Sequence, residues 1–302
     1  MISSRTPLLM VATFAAFLFT GVAGFGPRDM QQGGTNLPKR ATIPMLAQDV
    51  DSESVTSFSV YFFLSGVEEE GGPFLLPVYR EVPETLGVAR AAVESLIAGP
   101  LLDEESALVS VSSEVPQGTR LLGISISTGV ARVDLSEEFE SGGGSFSMRG
   151  RLAQLVFTLT QFPAVTAVEL LIEGKVATVF SAEGLVIDGP LARDGFEDLL
   201  PAILVERPAY GAPAGNPLRI TGTANVFEAS FLVRLLDGSG RVLVETPVMA
   251  TCGTGCRGTF DVTIPYSVPS KQPGTLIAWA ASAQDGSPLN IRTYPVTLEP
   301  PE

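Results

Sequence analysis

Apolar and polar residues alternate with a period of two in many short runs of this chain, and the period lengthens to that of a helix in two places. Thr85–Ala98 sets Leu86, Ala89, Val93, Leu96 and Ile97 on one stripe, and Gly99-Pro100 ends it. Met148–Phe162 does the same with Leu152, Leu155, Val156, Leu159 and Phe162, closed by Pro163. Around these helices the runs Val55–Leu64, Phe74–Val82, Arg120–Ser127, Gly129–Leu135, Ala167–Ile172 and Val176–Phe180 predict strands, with Pro77 placing the second at an edge or bulge. The order strand, strand, helix, two strands, helix, two strands predicts an α+β domain over residues 55–184, a mainly antiparallel sheet with two packed helices.

Beyond residue 200 the helical period disappears. Seven short runs near Ile203–Arg207, Leu218–Ala224, Ser230–Leu236, Val242–Glu245, Thr259–Pro265, Thr275–Ala281 and Arg292–Leu298 predict an all-β immunoglobulin-like sandwich over 201–299. Asp237-Gly238-Ser239-Gly240 supplies a tight hairpin turn between two of them. Trp279, inside an alternating run, reads as core filling rather than as a ligand-stacking residue. Asn225–Glu228 reads as a loop at one end of the sandwich, where Phe227 is either a core plug or a partner contact. The acidic stretch 185–200, with Asp188, Asp194, Glu197 and Asp198, reads as the linker between the two domains.

The wording of both halves adds to this reading. PVYREV, VARAAVESLIAGP, PQGTRLLGISISTGVARVDLSEEF and RLAQLVFTLTQFPAV resemble a GerMN domain. TGTANVFEA and ATCGTGCRG resemble the immunoglobulin-like Gmad2 domain. The resemblance implies a non-catalytic interaction or scaffolding protein of the bacterial envelope, linked to sporulation or spore germination. It implies envelope or membrane proteins as partners, with self-association as a further expectation.

The N-terminus bears on location. Arg5 precedes the apolar stretch Pro7–Ala23, which ends in small residues, so residues 1–24 read as an export signal or an uncleaved anchor. Residues 25–54 follow as a polar tether. An extracytoplasmic location follows from either reading, secreted or held at the membrane by this segment. No cysteine stands nearby to form a lipobox. In that compartment the two cysteines, Cys252 and Cys256, are expected to form a structural disulfide closing one turn.

Charge and missing residue types narrow the chemistry. With 19 basic against 33 acidic residues and a net charge of −14, the chain is a poor match for nucleic acid. It has no histidine, which removes Ser-His-Asp and Cys-His catalysis and leaves too few soft ligands for a metal site. No phosphate-binding loop or nucleophile elbow is present, so no cofactor is expected. Carboxylates remain, because glycoside hydrolysis needs two of them. The candidates are Glu68–Glu70, Asp103–Glu105, and Asp134 with Glu137, Glu138 and Glu140. They keep open a peptidoglycan-binding protein or wall hydrolase. Solvated acidic faces and a capped turn after Ser136 are the simpler alternative. Of the basic residues Arg80, Arg149 and Arg151, the last two flank the start of the second helix. They could anchor a carboxylate on a partner or form surface ion pairs.

Overall fold

The computed structural model describes residues 54–66, 72–102, 104, 109–181 and 184–301. The expected export segment, nearly all of the tether, and Glu68–Glu70, Asp103 and Glu105 lie outside the described residues. Among the described residues no helix is long and apolar enough to cross a membrane.

The first half begins with β1 (Val55–Gly66) and β2 (Phe74–Pro83), paired antiparallel with Tyr61 opposite Pro77. Helix α1 (Val88–Ala98) buries Ala92, Val93 and Leu96 and ends at Gly99, whose φ of 85° suits glycine. Strand β3 (Val109–Ser112) pairs with the far end of β1, giving the order β2-β1-β3. Strands β4 (Leu121–Ser127) and β5 (Val130–Leu135) form a hairpin. Helix α2 (Ser145–Leu159) then carries the chain to β6 (Ala167–Ile172), which lies parallel to β5. A helix between two neighbouring strands allows that parallel crossover, so this sheet departs from a purely antiparallel one. The short strand β7 (Lys175–Val176) completes the order β4-β5-β6-β7.

Helix α2 is the centre of this half. Its residues are buried all round from Gly150 to Leu159, including the polar Gln154 and Thr158. These two and Gln161 lie four and three residues apart, hence on one face of the helix. They meet the stretch of β1 that β3 does not reach. Thr158 Oγ1 accepts from the Tyr61 amide at 3.1 Å, and Gln154 Nε2 donates to the Tyr61 carbonyl at 3.0 Å. Gln161 accepts from the Ser59 amide at 2.8 Å and donates to the Ser59 carbonyl at 2.6 Å. Helix side chains therefore replace a missing strand and satisfy backbone groups that would otherwise be buried unpaired.

The stretch expected to be a linker is folded. Strands β8 (Val179–Phe180) and β9 (Leu185–Val186) pair, Leu191 exchanges backbone hydrogen bonds with Val168 at 2.7 and 2.8 Å, and Arg193–Leu199 forms 3-10 turns. Phe196 and Leu199 are buried, which fastens the segment down.

The second half contains β10 (Ile203–Arg207), β11 (Pro213–Ala214), β12 (Leu218–Ala224), β13 (Ser230–Asp237), β14 (Val242–Met249), β15 (Gly258–Ile264), β16 (Gln272–Ala281) and β17 (Pro288–Leu298). They form two sheets, β10-β12-β15 and β11-β17-β16-β13-β14. Phe231, Val233 and Leu235 point into the sandwich, with the Phe231 ring edge-on to Phe260 at 4.9 Å. Trp279 departs from expectation. Ala278 and Ala280 face inward, so Trp279 stands half-buried on the outer face with the Arg234 guanidinium 4.9 Å from its ring centroid.

The β13–β14 turn is fixed by Asp237. Its Oδ1 accepts from the amides of Ser239 and Arg241, both at 3.0 Å, and from the Ser239 hydroxyl at 2.6 Å, while Oδ2 accepts from Arg241 Nε at 3.0 Å. The Ser239 hydroxyl first, then Arg241 and the turn amides, hold the carboxyl far below the ordinary aspartate range. A depressed folded pKa stabilises the fold above the unfolded value of about 3.9 and loses that contribution as pH falls through the acid range. Asp237→Asn is therefore expected to flatten the acid limb of a melting-temperature curve against pH. An acid limb identical to that of the parent chain would remove Asp237 from this role.

The described residues of both halves lie within a single compact unit. Tyr210 extends the edge of β2, its amide donating to the Pro77 carbonyl and its carbonyl accepting from the Tyr79 amide, both at 2.9 Å. The Arg292 guanidinium lies 4.6 Å from the centroid of the Phe74 ring. Deeper in, the Tyr61 hydroxyl donates to Glu206 at 2.7 Å, Arg193 pairs with the same carboxylate, and Arg193 Nε donates to Thr160 Oγ1 at 2.6 Å. Burial first, then the Glu206 charge, push the Tyr61 phenol well above its ordinary pKa. Burial works against the charge of Arg193, but Tyr61 and Glu206 outweigh it and raise its pKa.

Candidate functional site

At one end of the sandwich two loops, 225–229 after β12 and 250–257 before β15, are knitted together. The Asn225 side chain accepts from the Gly255 amide at 3.1 Å, and the Val226 carbonyl accepts from the Thr254 amide at 3.0 Å. The Glu228 amide donates to Thr254 Oγ1 at 3.0 Å, and the Ala250 amide donates to the Ala229 carbonyl at 2.9 Å. Cys252 and Cys256 are joined by a disulfide, their Cα atoms 5.8 Å apart, which closes the second loop. Gly253 lies so close to Val226 and Ala229 that a Cβ there would run into their backbone. The stretches that carry the Gmad2 resemblance in sequence, 221–229 and 250–258, are thus one structural feature.

The chain path through this feature is strained. Glu228, Ala229 and Thr254 have φ of 52°, 56° and 55°, the left-handed region that residues with a Cβ rarely occupy. Each such residue costs about 1 kcal/mol or more, so the surrounding bonds must over-determine the conformation. Val226, 5% exposed, plugs the core, and this leaves the next residue, Phe227, pointing outward at 55% exposure. Phe227 is therefore a presented side chain and not a core plug. Arg257 ties the platform to the rest of the molecule, donating to the Pro201 carbonyl at 3.0 Å and to Thr223 Oγ1 at 3.3 Å.

Two family models match the chain. One is described as Germane, sporulation and spore germination, over residues 59–178; the other as Gmad2, immunoglobulin-like domain of bacterial spore germination, over 202–287. The chain contains a Germane domain followed by a Gmad2 domain. Solved structures similar to it include the first GerMN domain of the sporulation protein GerM from Bacillus subtilis. That match has 22% identity and a TM-score of 0.38, covering 46% of this chain and 98% of that one. The tandem GerMN domains of the same protein match at 16% identity with a TM-score of 0.40, covering 70% of this chain and 62% of that one. No curated protein matches the chain.

The arginines singled out by sequence are all engaged in the Germane domain. Arg151 is 2% exposed, and its guanidinium donates to the carbonyls of Phe139, Ser141 and Gly142 at 2.7, 2.9 and 3.1 Å and to Ser147 Oγ at 2.8 Å. It is an internal brace for the Gly-rich loop before α2 and is not offered to a partner, which corrects the expectation of a contact residue. Arg149 stays partly open but forms a two-pronged pair with Asp198 at 2.6 and 2.7 Å and donates to the Gly195 carbonyl at 3.0 Å. That hydrogen-bonded pair raises the Arg149 pKa and lowers that of Asp198. Arg80 is buried, with its Nη2 donating to Glu104 at 2.9 Å and its guanidinium 5.4 Å from the Phe62 ring centroid.

The carboxylates after β5 are likewise bound to local structure. Asp134 Oδ1 accepts from the Gly174 amide at 2.9 Å, Glu140 from the Ser181 amide at 3.1 Å, and Glu138 from Arg120 at 3.3 Å. Glu137 is exposed, and its amide donates to Glu173 at 3.3 Å. Among the described residues no group of three or more Cys, Asp or Glu side chains is placed to hold a metal ion. A cleft of about 580 Å³ opens between the Germane and Gmad2 domains, with Tyr79, Gln161, Arg193, Glu206 and Arg207 on its walls. Arg193 and Glu206 pair with each other there, while Gln161 is bound to Ser59 and the Tyr79 hydroxyl donates to Glu81.

Proposed function

We propose that this chain is a non-catalytic, exported envelope protein that acts in sporulation or spore germination by binding other envelope proteins, and that Phe227 is its contact point. One observation carries the reading: a large aromatic side chain is 55% exposed on a platform fixed by a disulfide and by hydrogen bonds between two loops. A preorganised aromatic suits a binding hot spot, because little conformational freedom is lost when it docks. The process follows from the descriptions of both domain families. The sequence of the N-terminal segment and the disulfide support an extracytoplasmic location, since disulfides persist mainly in oxidising compartments.

The competing reading, a peptidoglycan-binding protein or wall hydrolase acting through Asp134 and Glu137, makes the opposite prediction. In the native host, Phe227→Ala is expected to abolish function while leaving the melting temperature unchanged. Asp134→Asn with Glu137→Gln is expected to leave function intact. Loss of function with the carboxylate pair and not with Phe227→Ala would select the wall-directed reading.

A further inference from the structure

An open sheet ends in two edges, and long edges are usually guarded by charge, proline or cover. Most edges here follow that rule. The β2 edge contains Pro77 and Arg80 and is met by Tyr210; β14 contains Glu245 and Pro247; β15 contains Asp261; and β10 contains Glu206 and Arg207. Strand β4 breaks it. It is seven residues long and an edge of its sheet, and no charged residue or proline occurs from Leu121 to Ala131.

The side chains of β4 also look unfinished. Ile124 and Ile126 stand opposite Val133 and Ala131, on the face where both partners are completely buried. Ile126 is nevertheless 42% exposed, because among the described residues no strand lies beyond it to cover that side. The segment Gly123-Ile124-Ser125-Ile126-Ser127 reads nearly the same in both directions about Ser125. An antiparallel pairing of two copies centred there sets Ser125 opposite Ser125 and each Ile124 opposite the other copy's Ile126. The apolar face then continues across the junction, and no like charges face one another in a chain whose net charge is −14.

We propose that β4 is a self-association edge, and that two copies of this chain pair antiparallel through it about a two-fold axis at Ser125. The contact is isologous, so it closes at a dimer.

Sedimentation equilibrium of the full chain over a concentration series tests this, with a charge swap as the decisive arm. The parent chain is expected to pass from monomer to dimer. Ser125→Lys alone and Ser125→Asp alone each place like charges opposite one another and are expected to weaken association about tenfold or more. An equimolar mixture of the two variants places opposite charges there and is expected to restore it. Ser125 is exposed, so both variants should keep the parent's circular dichroism spectrum. A parent chain that stays monomeric would overturn the proposal. So would a dimer that is indifferent to both substitutions, or a mixture that fails to recover.

Discussion

Arg151→Ala is expected to destabilise the chain by about 3 kcal/mol or more, although Arg151 looks like a surface residue in the sequence. The guanidinium is the internal partner of the Phe139, Ser141 and Gly142 carbonyls and of the Ser147 hydroxyl, at 2.7–3.1 Å. Truncation leaves those acceptors without their donor and opens a cavity beside α2. Burial lowers the Arg151 pKa, yet the group remains a cation, so its hydrogen bonds are charge-assisted and stronger than neutral ones. Arg151→Lys should recover only part of the loss, because one ammonium cannot fork to four acceptors. Urea unfolding is the measurement, with the shift in midpoint read at constant slope. A loss below about 1 kcal/mol would place Arg151 among ordinary surface residues.

The second large effect is expected at the junction between the domains. Glu206 receives both the Tyr61 hydroxyl and the Arg193 guanidinium, and Arg193 also lies 4.6 Å from the centroid of the Phe157 ring. Glu206→Ala strands a mostly buried cation and a buried phenol, at a cost of about 3 kcal/mol. Because the carboxylate belongs to β10 and its two partners to the other side of the junction, the loss falls on the coupling between domains. Calorimetry of the parent chain should show one transition, and Glu206→Ala should split it into two. Glu206→Gln, which still accepts from Tyr61, should fall between. A single transition displaced as a whole would mean that other contacts, such as Tyr210 on the β2 edge, are enough to couple the domains.

Much of the fold was legible because period-two and period-3.6 patterns report burial directly. Both helices and the long strands announce themselves in that way. Short strands do not: β3 has four residues and β11 only two, too few for alternation to stand out. The parallel pairing of β5 with β6 depends on how the chain crosses over α2, which no local pattern encodes. Segment 185–200 looked like a linker because it is acidic, yet its anchors are a few apolar residues and the backbone of Leu191.

The site was half legible. Both stretches of the loop platform were distinctive as sequence, but their contact spans about thirty residues and only the fold reveals it. Phe227 and Val226 compete for one core position, and sequence alone does not say which side chain enters. Arg149 and Arg151 carry a signal in their spacing. Residues two apart on a helix are separated by about 200°, so one of the pair had to face away from the other. The outward position of Trp279 is hidden in the sequence for a related reason. Ile277 and Trp279 are as apolar as Leu276 and Ala278, so the parity of that strand was ambiguous until its neighbours were known.

The most direct test places a photo-crosslinking amino acid at position 227 in the native host, with exposed Val176 of the Germane domain as the reference position. Docking through the loop platform predicts a discrete adduct with one envelope protein at 227 and none at 176. It also predicts that the adduct vanishes when Gly253→Ala forces the two loops apart. Adducts that are the same at 227 and 176, or that survive Gly253→Ala, would contradict a binding role for Phe227.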